Sequence, residues 1–130
     1  MSRSYAKGYR AELELVHELA KRGFVAIRSP RSGRISLPAP DVIAAKKGRL
    51  FAFECKFKDR SFVVDECELD QLRSWRRMGG ARCFVAWKRR RKGWYFIPLD
   101  VVLKEKGRVN IHLAEKYGRD IDWLTRLAST

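Results

Sequence analysis

A carboxylate and an amine stand two residues apart in Phe53-Glu54-Cys55-Lys56-Phe57, a run that reads as a β-strand. Strand side chains alternate between faces, so Phe53, Cys55 and Phe57 point one way and Glu54 and Lys56 the other. Thirteen positions before Glu54, Asp41 opens another strand directly after Pro40, and Lys46-Lys47-Gly48-Arg49 between them has the composition of a hairpin turn. If the two strands pair antiparallel, Asp41 falls near the end of its partner that carries Glu54 and Lys56. Two carboxylates and a lysine are then within reach of a single ion.

A third carboxylate comes from the N-terminal helical segment. Glu14 and Glu18 lie on its polar arc, whereas Glu12 lies between Leu19 and Val16, in the middle of the apolar arc. A lone carboxylate facing a core is costly unless it is paired or bound to a metal. The helix breaks its own pattern at one position, which is the kind of local conflict that marks function.

Phosphodiester hydrolysis requires an activated water and stabilisation of the charge that develops on the phosphoryl oxygens. Carboxylate oxygens are hard ligands suited to Mg²⁺, with Mn²⁺ as a substitute, and a bound divalent ion acidifies its water and polarises the phosphate. A lysine beside the ion orients or deprotonates the attacking water, or stabilises the developing charge. The expected roles are Asp41 and Glu54 as metal ligands, Glu12 as a ligand or outer-shell base, and Lys56 as the cation on the water side. No small-molecule cofactor is expected. Each feature also has a plain explanation. An E-x-K on a strand is usually a solvated face, Asp41 could simply begin a strand, and Glu12 could pair with a nearby arginine such as Arg28. The coincidence of all three carries the catalytic reading.

The elements that must position these groups follow from periodicity. Residues from about Tyr5 to Arg22 have a helical apolar arc through Tyr9, Leu15, Val16 and Leu19, closed by Gly23. Phe24 to Arg28 reads as a strand, residues 29–40 as a loop rich in Ser, Arg, Pro and Gly, and Asp41 to Ala45 and Leu50 to Lys58 as two strands. Asp65 and Glu68 resemble a capping box, predicting a helix with Leu69, Leu72, Trp75 and Met78 on one face, ended by Gly79-Gly80. Gln71 falls on the inward side of that helix, where packing is its simplest role. Arg82 to Trp87 and Trp94 to Pro98 are two more strands; Trp87 and Trp94, like Trp75 and Met78, are expected in the core or at a dimer surface. Val109 to Leu113 is expected as a short edge strand and Asp120 to Leu127 as a final helical piece. The order predicts an α/β architecture with a mixed central sheet of about five strands flanked by helices, in one domain over residues 1–130 with 99–130 as its C-terminal extension.

The chain has 29 Lys plus Arg against 15 Asp plus Glu over 130 residues, a formal charge of 29 − 15 = +14. Such an excess on a small domain calls for a polyanionic partner, and nucleic acid is favoured because each neutralised phosphate releases counterions. No apolar run is long enough to span a membrane, and the first residues lack the apolar stretch of a secretory signal, so a cytoplasmic, nucleoid-associated protein is expected. Cys55, Cys67 and Cys83 have neither the spacing nor the histidine neighbours of a zinc site.

Arg28, Arg31, Ser32 and Arg34 crowd the loop before Asp41 and are expected phosphate contacts near the scissile bond. Arg3, Lys7 and Arg10 could track a neighbouring backbone, and Lys58 and Arg60 leave the catalytic strand. The turn from Lys88 to Lys92, with Arg89, Arg90 and Arg91, is the densest basic cluster; such a run is either a contact or a solvated tip.

Lys7-Gly8, Ala11-Glu12, Leu15-Val16, Arg22-Gly23-Phe24, Ile27-Arg28-Ser29, Ser32-Gly33, Pro40-Asp41, Glu54-Cys55-Lys56 and Gly79-Gly80 together resemble the archaeal Holliday-junction resolvases, of the PD-(D/E)xK nuclease superfamily, from about Lys7 to Ile97. The resemblance implies a restriction-endonuclease-like fold and an active site of Glu12, Asp41, Glu54 and Lys56. It also implies a loop around Ser32 that affects cleavage, and a homodimer that nicks two opposed strands of a four-way DNA junction. Leu13 departs from the pattern, since family members often carry a basic residue after the helix glutamate. Two rivals remain at this level: another nuclease of the superfamily, repair-type or restriction-like, that cuts ordinary duplex, and a non-catalytic basic DNA-binding protein.

Overall fold

The computed structural model describes residues 3–30 and 37–130, with the backbone alone for residues 3–7. Helix α1 (Arg3–Lys21) sets Ala11, Leu15 and Leu19 four residues apart on its buried side. Gly23 follows at φ 90°, a left-handed conformation open to glycine without a Cβ penalty, and turns the chain into β1 (Val25–Arg28). Strands β2 (Val42–Lys46) and β3 (Arg49–Phe57) continue antiparallel, with Lys47 and Gly48 both at positive φ between them. After the two-residue β4 (Phe62–Val63), helix α2 (Glu66–Gly79) crosses back so that β5 (Arg82–Lys88) runs parallel to β3, and β6 (Trp94–Pro98) returns antiparallel.

The result is the expected mixed sheet, five-stranded, in the order β1-β2-β3-β5-β6. Its two faces carry different cores. Phe51, Phe53, Phe84 and Phe96 pack under α1 and α5 (Ile121–Ser129), with Phe53 stacked 6.0 Å from Phe84 and edge-on to Phe96 at 5.7 Å. Ala52, Val85, Trp87 and Ile97 pack under α2, α3 (Leu99–Lys104) and α4 (Ile111–Tyr117). Residues 99–130 thus contribute to both layers: Leu99, Val102, Leu113 and Ala114 on one side, Leu124 and Ala128 on the other.

The chain beyond Pro98 departs from its sequence reading. Val109 to Leu113 is not a strand: only β7 (Arg108–Val109) pairs, with Phe62 and Val63 of β4. Asn110 then caps α4, its side-chain oxygen accepting the Leu113 N–H at 2.8 Å, which turns an apolar alternation into a helix burying Leu113 and Ala114. The helix α3 was not legible either, because its six residues are too few to show a period. Asp120 caps α5 where a final helical piece was expected, accepting the Trp123 N–H at 2.9 Å. Among the described residues no helix is long and apolar enough to cross a membrane.

Candidate active site

The β2–β3 register pairs Val42 with Phe53. One step further it sets Asp41 opposite Glu54, and directly opposed residues of an antiparallel pair project from the same face. The side chain of Asp41 is fixed there: its Oδ2 accepts the backbone N–H of Cys55 at 2.8 Å. The backbone around it is clipped to the end of β1, since Ser29 donates its N–H to the Asp41 carbonyl at 2.9 Å and its hydroxyl to the Pro40 carbonyl.

Glu54 is 4% exposed. Burial pushes its carboxyl well above the usual carboxylate range, and the neighbouring charges and contacts of Asp41 and then Glu68 push it the same way. Its Oε2 is buried and receives no hydrogen bond among the described residues. A buried carboxylate beside a second one is unfavourable as an ion unless a cation joins them. The donor set fits a hard divalent ion: an anchored aspartate and a glutamate with an unsatisfied oxygen, both facing one space. No group of three or more ligating side chains converges into a ready-made cage among the described residues. Mg²⁺ does not need one, because it keeps several waters and takes one or two carboxylates plus phosphate oxygens.

Lys56, two residues beyond Glu54 on the same face, does not fold back onto it. Its Nζ sits 3.0 and 2.9 Å from the two carboxylate oxygens of Glu68, in the first turn of α2. Glu68 also closes the predicted capping box: its Oε1 accepts the Asp65 N–H at 3.2 Å while Asp65 Oδ1 accepts the Glu68 N–H at 2.8 Å. Burial alone would raise the Glu68 carboxyl, but its contacts with Glu54 and Lys56 outweigh that and hold it below the usual range. Glu68 is the site residue that the sequence reading missed, having assigned it to the helix cap alone. The available signal was topological. A helix that crosses between parallel strands starts near the C-terminal end of the first, so a carboxylate in its first turn lands beside the last residues of β3.

Glu12 is buried, as its place on the apolar arc requires. Its Oε1 lies 2.8 Å from Nε of Arg28, although the N–H does not point along that line, and the guanidinium stacks over the Tyr9 ring at 4.3 Å. The pairing with Arg28 that the sequence left open is therefore present. Arg28 pairs across the sheet with Val42, so the ion pair lies one residue from Asp41. It belongs, however, to the α1 layer, whereas Glu54 and Lys56 face α2. Arg28, expected on the phosphate-contacting surface, is instead enclosed, its side chain only 15% exposed, because Glu12 and Tyr9 take up its charge.

Arg31, Ser32 and Arg34 lie outside the described residues, as do the side chains of Arg3 and Lys7. Arg10 is exposed on α1, and Lys58 and Arg60 are exposed after β3. The basic turn adjoins them. Lys56 pairs with Trp87 and Phe57 with Lys88, so Arg89, Arg90 and Arg91 project from the sheet just beyond Lys56. Asp59 anchors this turn by accepting the Arg90 N–H at 2.8 Å, and Lys88 is held by Glu14 of α1 at 2.9 Å. Gln71 is half-buried, Met78 is 70% exposed, Trp87 and Trp94 are core, and Trp75 donates its indole N–H to the Pro38 carbonyl at 3.0 Å.

Comparison with known proteins points to one family. The profile of the family described as archaeal Holliday junction resolvase (Hjc) matches residues 3–128. The crossover junction endodeoxyribonuclease Hjc of Archaeoglobus fulgidus is 38% identical over 98 residues, 75% of this chain and 72% of that protein. The enzyme of the same name from Methanocaldococcus jannaschii is 34% identical over 89 residues, 68% of this chain and 63% of that protein. The solved structure of Archaeoglobus fulgidus Hjc, a Holliday junction resolvase, superposes with a TM-score of 0.82 at 29% identity, covering 91% of this chain and 99% of that one.

Proposed function

Since the chain belongs to the archaeal Holliday junction resolvase family, we propose that it is an endonuclease that resolves four-way DNA junctions by metal-dependent hydrolysis, placing paired symmetric nicks in opposed strands. The observation that carries this is the anchoring of Asp41 Oδ2 on the Cys55 N–H at 2.8 Å, which sets its carboxylate beside Glu54. Asp41 and Glu54 would hold the ion, Mg²⁺ in the first instance. When bound, it supplies an acidified water and a positive charge against the phosphate.

The chain's own groups do the rest. Burial of Glu54 keeps bulk water from its carboxylate and makes the pair a poor resting place for two unneutralised charges, which favours occupancy by a cation. Lys56 presents an ammonium on the same face, placed to orient the attacking water or to meet the charge on the departing oxygen. Glu12, through Arg28, steadies the join between α1 and the strand that leads into Asp41. Arg10, Lys58, Arg60, Arg89, Arg90 and Arg91, together with Arg3, Lys7, Arg31, Ser32 and Arg34, are the proposed contacts with DNA, and the net charge of +14 supports them. A homodimer suits a junction with two-fold symmetry, and the exposed apolar residues Val25 and Ile27 on β1 are consistent with a second copy. The working place of such an enzyme is the nucleoid, in the cytoplasm.

The test mixes the protein with a labelled four-way junction and with a linear duplex of the same sequence in Mg²⁺. Paired nicks in the junction alone, lost in Asp41→Ala, are expected. Equal cutting of the duplex would point to a repair-type or restriction-like nuclease, and salt-sensitive binding without cutting to a non-catalytic DNA-binding protein.

A further inference from the structure

We propose that Glu68 is the positioning residue of the site, acting on the reaction through Lys56 rather than only as part of a helix cap; this rests on the nuclease function proposed above. A lysine side chain is long and flexible, and its ammonium is a point charge that settles on the nearest carboxylate. Glu54, two residues away on the same face, is such a partner. If Lys56 settled there, it would occupy the open Oε2 that the ion needs. Instead both oxygens of Glu68 contact Nζ, at 3.0 and 2.9 Å, and the ion pair is largely sheltered, with side chains 16% and 23% exposed.

Glu68 is itself immobilised, because its Oε1 is tied to the Asp65 N–H at the start of α2. The anchoring thus runs from the backbone N–H of Asp65 through the Glu68 carboxylate to the amine, and does not need the Asp65 side chain. It holds the Lys56 ammonium on Glu68 rather than on Glu54, with its charge balanced by that carboxylate.

The cap and the positioning role separate by mutation. A glutamine at the same place can still close a capping box but cannot form the ion pair. Glu68→Gln is expected to remain folded at the assay temperature and to bind a junction in chelator as wild type does. It should nick the pre-bound junction roughly 10- to 100-fold more slowly, as supporting residues around metal sites do when removed. Asp65→Ala is the converse: it loses thermal stability, while the folded protein nicks at the wild-type rate. A double-mutant cycle covers the case in which Glu68→Gln is poorly folded. If Glu68 works through Lys56, then Lys56→Ala with Glu68→Gln is no slower than Lys56→Ala alone. Wild-type cutting by Glu68→Gln, or additive losses in the double mutant, would overturn the assignment while leaving the nuclease intact. Failure of the wild type to cut junctions at all would instead bring down the proposed function, and this inference with it.

Discussion

Glu12 Oε1 and Arg28 Nε lie 2.8 Å apart, with side chains 3% and 15% exposed, where the first helix meets the first strand. A buried pair is expensive to form but far more expensive to halve, because the surviving charge has neither water nor partner. Glu12→Ala is accordingly expected to cost about 3 kcal/mol or more in urea unfolding. Glu12→Leu combined with Arg28→Met should recover most of that loss. A small effect of Glu12→Ala on stability, combined with complete loss of Mg²⁺ binding, would instead make Glu12 a direct ligand.

Asp41 accepts the Cys55 N–H and, in the proposed mechanism, has the second duty of supplying charge; asparagine preserves only the first. Asp41→Asn should fold and bind junctions but cut them about 10²- to 10³-fold more slowly, the scale seen when charge stabilisation is removed from a transition state. Single-turnover cleavage alongside a binding titration separates the two duties.

The raised carboxyl of Glu54 makes stability depend on pH in a stated direction. Above the ordinary carboxylate range the unfolded chain has lost the Glu54 proton and the folded chain still holds it. Stability in chelator should therefore fall as pH rises from that range through the higher folded value, and level off beyond it. Glu54→Gln should remove this slope and be more stable than wild type near neutral pH without metal. Added Mg²⁺ should reverse the order, stabilising wild type by about 2.7 kcal/mol at a hundredfold excess over its Kd and leaving Glu54→Gln unmoved. Thermal unfolding against pH, with and without Mg²⁺, reads all of this.

The turn carrying Arg89, Arg90 and Arg91 projects from the same end of the sheet as Lys56 and is fastened there by Asp59. Replacing all three arginines with alanine should weaken junction binding. It should also flatten the plot of log affinity against log salt by roughly 0.9 for each phosphate no longer neutralised. An unchanged slope would make the turn a solvated tip.

Most of the central sheet was legible in the sequence because its signals are local. Alternation in Phe53-Glu54-Cys55-Lys56-Phe57 separated the faces of β3, and the Gly48 turn implied a hairpin. Together they brought Asp41 near the end of β3 that carries Glu54 and Lys56, while the register that sets Asp41 opposite Glu54 came from the fold. The misplaced Glu12 announced a buried carboxylate for the same reason, since helical periodicity is a property of neighbours in the chain. Beyond Pro98 the local signals ran out. Val109 to Leu113 alternates like a strand, yet Asn110 caps a helix that buries Leu113 and Ala114 in the layer over β6, a choice made by the space left on that face of the sheet.

What the chain by itself determined, then, was which residues could do the chemistry and which strands would carry them. What only the tertiary structure decided was how the charges divide among partners: Glu12 with Arg28 on one face, Lys56 with Glu68 on the other, and Glu54 left with an oxygen to spare. A charge chooses its partner by distance and burial, and both are set by how helices α1 and α2 pack onto opposite sides of the sheet, which no spacing along the sequence records.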